Sequence, residues 1–310
     1  MSTAALIWVR SWASKWQAAR TRSAVTDCTG RTVFITGGSQ GIGAATARRF
    51  AAGGASLVIV DSDRAALAEF MSELGPSHLG VTADVTDSDS LNVAVELAIA
   101  RFGGIDVVVV NAGIGSASTV LASDIERLAR IIDVNLTGVM RTIKATLEAV
   151  AASRGHFLLM SSAAVFKNLP RANAYAAAKA GVAALGGALR LEVAHKGVTV
   201  GVAHPGWIAT GMIAGSSTRS GTSGSLPWPF NVVTDVDACA ARLVAAIIRR
   251  DRTVYIPGAL AFVDTFRFLS TGRLWDAYMK PRSARQVRVW ESECAESARE
   301  ATLQPVKTVS

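Results

Sequence analysis

Tyr175 and Lys179 stand four residues apart in Ala174-Tyr-Ala-Ala-Ala-Lys179, and Tyr175 follows Ser162 by thirteen residues. On a helix, positions i and i+4 share one face, so the phenol and the ammonium would point the same way. A free phenol ionises near pH ~10, too high for an efficient base at neutrality, and a fixed ammonium one turn away would lower that value. Ser162 could donate a hydrogen bond to the oxygen being protonated. Alone, such a pair is common surface polarity. Its meaning depends on a second feature far upstream, the glycine turn Thr36-Gly-Gly-Ser-Gln-Gly-Ile-Gly43. A turn that cradles a pyrophosphate, joined to a group that moves a proton on and off an oxygen, spells hydride transfer between a nicotinamide and a carbonyl or alcohol.

The elements that must position these residues are legible as apolar runs. Thr32–Thr36, Ser56–Val60, Leu79–Ala83, Val107–Val110, His156–Met160, Thr199–Ala203 and Thr253–Ile256 read as buried parallel strands. Alanine-rich, helix-length stretches lie between them, among them Gly41–Ala52, Arg64–Leu74, Ser88–Phe102 and Asn173–His195. Continuous apolar strands alternating with helices predict an α/β fold: one Rossmann-like, doubly wound parallel sheet of about seven strands with helices on both faces. The order strand, glycine turn, helix, strand, helix, strand at the front is a mononucleotide-binding half.

The glycine turn follows a strand and opens a helix, the context that phosphate binding requires. Gly37, Gly41 and Gly43 would let the backbone approach the pyrophosphate, with Ser39, Gln40 and Ile42 completing the turn. Asp61 ends the second strand, eighteen residues past Gly43. A carboxylate there accepts ribose hydroxyls and repels a 2′-phosphate, and no arginine occupies positions 39 or 40, so NAD is expected over NADP. Arg64 is the nearby cation that could oppose this preference. Asp84 and Val85 suit the adenine edge, and Asn111-Ala112-Gly113 is small enough for a dinucleotide to lie against the backbone.

With these motifs in order, the chain resembles the short-chain dehydrogenase/reductase family over residues 30 to 257. The resemblance rests on Thr36–Gly43, Asp84, Asn111-Ala-Gly113, Asn135, Ser162, Tyr175/Lys179 and Pro205-Gly-Trp-Ile-Ala-Thr210. It implies that Tyr175 is the acid/base and that Lys179 binds the nicotinamide ribose and tunes Tyr175. By the same likeness Ser162 orients the reacting oxygen, and Asn135 holds a water in a proton relay. Pro205, Gly206, Ile208 and Thr210 would border the nicotinamide, Ile208 and Thr210 anchoring its carboxamide. It also implies a homo-dimer or homo-tetramer paired through two long helices, Ala122–Ala152 and Asn173–His195. Val110 stands where an asparagine often precedes Asn-Ala-Gly.

Three stretches fall outside this pattern. Residues 207–234 read as a mobile lid: 214–225 are low-complexity, and apolar Leu226–Phe230 follows. With Val165, Phe166, Trp207 and Met212 it predicts a hydrophobic alcohol or ketone substrate, such as a sterol, long-chain or lipid-derived compound. Residues 1–29 carry Trp8, Trp12 and Trp16 on one helical face with Arg10, Lys15, Arg20 and Arg22, and no acid before Asp27. That suits an interfacial helix, a transit segment or a helix packed on protein. Residues 258–310 are expected to form a helical extension in which Phe262, Phe266, Leu269 and Trp275 repeat the choice between membrane surface and protein contact.

Composition narrows the remaining classes. Half of the 310 residues are apolar and 18% are charged, which excludes a mostly disordered chain. The net charge of +8 is diffuse, without the basic-aromatic stripe of a nucleic-acid binder. No apolar run reaches membrane-spanning length. Cys28, Cys239 and Cys294 are widely spaced and odd in number, as in a reduced cytoplasmic protein, and no metal-ligand spacing occurs. A membrane-peripheral location remains an expectation tied to the two ends. A non-catalytic dinucleotide-binding scaffold or sensor is the alternative, and it predicts decay of Asn135, Ser162, Tyr175 or Lys179; all four are present.

Overall fold

The computed structural model describes residues 27–115, 119–210 and 226–266, with Lys280, Val287, Arg288 and Ser292 beyond them. The expectations for Met212, for the segment 214–225, for the tryptophans of the first 26 residues, and for Leu269, Trp275 and Cys294 lie outside these residues.

Seven parallel strands form the central sheet in the order β3-β2-β1-β4-β5-β6-β9. They are β1 (Thr32–Thr36), β2 (Ser56–Asp61), β3 (Leu79–Thr82), β4 (Val107–Val110), β5 (His156–Met160), β6 (Thr199–Pro205) and β9 (Thr253–Ile256). A two-residue pair, β7 (Trp207–Ile208) with β8 (Val233–Thr234), stands apart at the base of the segment read as a lid. Side chains alternate faces along a strand, and the core divides accordingly. Val33 and Ile35 of β1 join Leu57 and Ile59 of β2 on one face; Phe34 joins Val58 and Val60 on the other.

The first face is covered by α1 (Gly41–Ala52), α2 (Arg64–Leu74) and α7 (Val236–Arg249), through Phe50, Phe70 and Leu243. The second is covered by α3 (Ser88–Phe102), α5 (Gly138–Ala152) and α6 (Asn173–Glu192), through Leu91, Ile143 and Val182. Each such large side chain, withdrawn fully from water, contributes roughly 1.5–3 kcal/mol. The helices therefore cannot leave the sheet without exposing a continuous apolar surface. This doubly wound arrangement agrees with the expected fold.

One expected helix is interrupted. Ala122–Ala152 comprises α4 (Ile125–Ile132), a π turn (Asp133–Thr137) and α5. Likewise α6 stops at Glu192, and a short 3-10 turn, Ala194–Lys196, completes the stretch expected to run to His195. A short α8 (Leu260–Thr265) follows β9. Among the described residues no helix is long and apolar enough to cross a membrane.

Candidate active site

The strand order reverses between β1 and β4, and open α/β sheets bind ligands in the crevice at that point. The glycine turn lies there. Gly37 has φ +61°, and a Cβ on it would come within 2.7 Å of Ala112 Cα; one on Gly43 would come within 2.1 Å of the Gly37 carbonyl oxygen. Only glycine permits such closeness. Gly41, at φ +53°, would meet the Thr210 methyl at 3.5 Å, so the turn and the Pro205–Thr210 segment face each other across a short gap.

The N-termini of α2, α3, α4 and α7 are capped by Asp63, Asp87, Asp124 and Asp235. No side chain caps α1 at Gln40, and its first turn carries no acid. Its unpaired N–H groups and positive dipole end are left for an anion. Ser39 hydrogen-bonds Asp61 Oδ2 through both its N–H, at 3.1 Å, and its hydroxyl, while Asp63 N–H takes Oδ1 at 3.1 Å. Asp61 is thus fixed beside the turn.

The Asn111 side chain is bonded to the glycine turn. Its Nδ2 donates to the carbonyls of Thr36 and Gly37 at 3.2 and 2.8 Å, and the N–H groups of Asn111 and Ala112 reach Thr36 Oγ1. The side chain fastens β4 to the glycine turn. Asp84 is held below the usual carboxylate range: burial pushes it up, but bonds from Thr86 and Arg130 outweigh that. Val85 is buried against Gly138, where a Cβ would stand 2.8 Å from Val85 Cγ2.

Ser162, Tyr175, Lys179 and Asn135 converge at the same end of the sheet. Ser162 begins the 3-10 turn Ala163–Phe166 and accepts Ala164 N–H; its hydroxyl is near enough to Tyr175 to favour the ionised phenol. Lys179 Nζ donates to Met160 O at 2.9 Å and lies 5.8 Å from the Tyr175 ring centre. Ser161 Oγ donates to Lys179 O at 2.8 Å, locking this part of α6 to β5. Burial brings the Lys179 ammonium down to about 8. The Tyr175 phenol is raised, chiefly by burial, with Ser162 opposing. The sequence led to the opposite expectation, a phenol lowered by Lys179. In the protein without ligand, loss of hydration outweighs an ammonium already committed to a carbonyl.

Asn135 occupies the π turn. Its Nδ2 donates to Ile131 O and Ile114 O, both at 2.9 Å, and among the described residues its buried Oδ1 has no donor. A Cβ on Gly113 would lie 2.6 Å from that oxygen and 3.4 Å from Lys179 Nζ. An orphan acceptor and an ammonium therefore flank the same glycine. Water or a ligand hydroxyl there would satisfy both.

The expected greasy wall is partly core. Phe166, Leu226 and Phe230 are buried with Ala163 and Leu260, whereas Val165 and Trp207 are half-buried at the edge of this cluster. Trp228 is 59% exposed. Leu260 and Tyr255, which the sequence reading passed over, complete the cluster; Tyr255 hydroxyl donates to Asp264 Oδ2. Arg130 was also missed, since nothing in a lone helical arginine announces its partner.

The model of the short chain dehydrogenase family matches residues 31–220. The chain belongs to that family. It is 35% identical over 256 residues to 3beta-hydroxysteroid dehydrogenase 1 of Eggerthella lenta, covering 77% of this chain and 94% of that protein. Against cis-4-hydroxycyclohexanecarboxylate dehydrogenase of Sinomonas cyclohexanicum the figures are 33% over 238 residues, 76% and 95%. Among solved structures, 3-ketoacyl-(acyl-carrier-protein) reductase from Brucella melitensis complexed with NADH aligns with a TM-score of 0.68 at 26% identity. That match covers 74% of this chain and 97% of the reductase. The short-chain dehydrogenase described here is thus an oxidoreductase acting on CH–OH groups with NAD(P).

Proposed function

We propose that the enzyme interconverts a hydrophobic secondary alcohol and its ketone, using NAD, with Tyr175 as acid/base. The observation that carries this reading is the convergence of Asn135 Oδ1 and Lys179 Nζ on Gly113, beside the Ser162–Tyr175 pair and the glycine cradle. The cradle fits a dinucleotide: Gly37, Gly41 and Gly43 leave room for its pyrophosphate, and uncapped α1 offers N–H donors. Ser39, Gln40 and Ile42 would line the pyrophosphate, Asp61 the adenosine ribose, Asp84 and Val85 the adenine, and Ala112 and Gly113 the nicotinamide side. Pro205, Gly206, Ile208 and Thr210 would close over the nicotinamide.

When bound, nicotinamide supplies the hydride donor or acceptor, and its oxidised ring adds positive charge near the phenol. Ser162 would hold the substrate oxygen, and Tyr175 would give or take the proton at that oxygen. A neutral phenol of raised pKa suits proton donation in the reducing direction. Lys179 would exchange the proton with a water held by the acceptor of Asn135. The clamped Asp61 supports NAD over NADP by repulsion of a 2′-phosphate. The substrate class draws support from Val165, Trp207 and exposed Trp228, and from the steroid and cyclohexane substrates in the names of two relatives.

Wild type and Tyr175→Phe are to be titrated with NADH and NADPH, then assayed with hydrophobic ketones and secondary alcohols. NADH binding by both, with turnover by wild type alone, is expected. Tighter NADPH binding would overturn the role of Asp61, and equal turnover by the variant would overturn that of Tyr175. Binding without turnover in wild type across the panel would favour the sensor reading.

Two further features belong to this reading. Ala177, Ala180, Ala184, Ala188 and Leu191 form an exposed face on α6, which supports pairing of two copies; native mass spectrometry of wild type and Ala184→Arg tests it. Phe262, 66% exposed and packed at a tilt against Phe266, supports peripheral contact with an anionic membrane by a cytoplasmic enzyme. Equal recovery with and without phosphatidylglycerol vesicles would refute that contact.

A further inference from the structure

Arg130 lies in the last turn of α4. Its Nη2 donates to Asp84 Oδ2 at 2.9 Å and its Nη1 to Thr86 Oγ1 at 3.0 Å. Thr86 in turn gives Asp84 Oδ1 two bonds, from its N–H at 2.9 Å and its hydroxyl at 2.8 Å. Three side chains thus close a ring that ties α4 to the loop after β3. The two charged side chains are 51% and 39% exposed, and an ion pair so wet contributes at most about 1 kcal/mol to stability. Holding the fold together is therefore a poor account of it.

Location gives a better one. Asp84 follows β3, at the same end of the sheet as the glycine turn and beside Asp61, since Asp61 pairs with Thr82 in register and Ala83 N–H donates to Asp61 O. A carboxylate whose two oxygens are held by different partners has one rotamer; Oδ1 is filled by the two Thr86 donors, and Oδ2, which takes the guanidinium, keeps a lone pair for another donor. Without the guanidinium, Asp84 would be an unneutralised anion beside a site that must take a pyrophosphate. Like charges in that position repel.

We propose that Arg130 is a positioning residue for the adenosine half of the dinucleotide: it fixes and neutralises Asp84 so that the carboxylate presents an acceptor without repelling the ligand. The inference rests on the cofactor reading given above, and it divides the ligand in two. The adenosine half depends on Arg130, and the nicotinamide half does not.

The test measures Kd for NADH, ADP-ribose and nicotinamide mononucleotide with wild type, Arg130→Met, Arg130→Lys and Thr86→Val, alongside Tm and kcat. Arg130→Met should weaken NADH and ADP-ribose by about tenfold, the size of one charge-assisted hydrogen bond. Nicotinamide mononucleotide, kcat at saturating NADH and Tm should stay unchanged. Arg130→Lys should recover part of the loss, and Thr86→Val should shift the same two ligands in the same direction. Equal weakening of both half-ligands, unchanged ADP-ribose affinity, or a Tm fall of more than about 5 °C in Arg130→Met would each overturn the proposal. Wild type that binds none of the three would sink the cofactor reading as well, whereas wild type binding with an indifferent Arg130→Met sinks only this inference.

Discussion

His156 makes the stability of this enzyme depend on pH well away from the active site. It opens β5, at the end of the sheet opposite the glycine turn, with its ring 2% exposed. Nδ1 lies 2.8 Å from Thr199 Oγ1, while Nε2 has no partner among the described residues. Burial lowers its pKa from 6.5 to about 4, Arg250 adds to the effect and Asp251 opposes it. The unfolded chain therefore takes up the proton first as pH falls. Stability is full above about pH 6.5 and is lost progressively as pH drops toward 4. With those two values the linkage relation gives a loss of about 2 kcal/mol at pH 5 relative to pH 7.5, rising to about 3 kcal/mol once both states are protonated.

The comparison that isolates this effect is wild type against His156→Asn. The Asn amide can occupy the place of Nδ1 and keep the bond to Thr199, so its fixed cost shifts both ends of the curve equally. Urea unfolding at pH 7.5, 6 and 5 should show wild type losing about 2 kcal/mol more than the variant across that range. Other carboxylates contribute the same slope to both proteins. Parallel curves would refute the reasoning, because a buried imidazole that charges at no cost is not desolvated.

Three other outcomes follow from the site. Gly43→Ala places a methyl 2.1 Å from the Gly37 carbonyl oxygen, so it should lower NADH affinity at least tenfold and reduce Tm, as read by titration and calorimetry. The kcat/KM for alcohol oxidation should rise with pH as the Tyr175 phenol deprotonates, and that for ketone reduction should fall over the same range; a flat profile in both directions would exclude a titrating proton donor. Cys28 and Cys239 are 1% and 0% exposed, and burial pushes the Cys239 thiol to about 12, so a Cys294→Ser variant should show no fast thiol with a disulfide reagent at pH 8 until it is unfolded.

Much of this architecture was legible because the local signals agree with one another. Val107–Val110 is apolar throughout and His156–Met160 is apolar after its first residue, which is the mark of strands covered on both faces, and their bounds match the structure. Gly41–Ala52, Arg64–Leu74 and Ser88–Phe102 match as well, the last two beginning after a capping aspartate and ending before a glycine. What the chain conceals are contacts across long separations. Nothing in the motif of Asn111 shows that its amide bonds Thr36 and Gly37, some 75 residues away. Arg130 bonds Asp84 across 46 residues. The apolar Phe166 and Leu226 read as pocket wall, and they are core because Leu260 and Phe230 fold over them.

The π turn is the case where a local rule fails for a functional reason. Helical periodicity runs unbroken from Ile125 to Ala152, and only tertiary packing shows why the helix cannot stay regular. Gly138 lets α5 approach the loop after β3 so closely that an added methyl would strike Val85 at 2.8 Å. A helix held at that distance absorbs the mismatch with the turn before it by widening one turn. That turn carries Asn135, and Ile131 O, which a regular helix would pair with the Asn135 N–H, accepts the Asn135 side-chain amide. The other end of the side chain is left beside Gly113 with no donor among the described residues. The irregularity and the orphan acceptor thus fall on one residue, held by its side-chain amide to the carbonyl one turn back. Adding a methyl at position 138 should therefore lower kcat as well as stability, whereas a methyl that merely loosened the α5–β3 contact would lower stability alone.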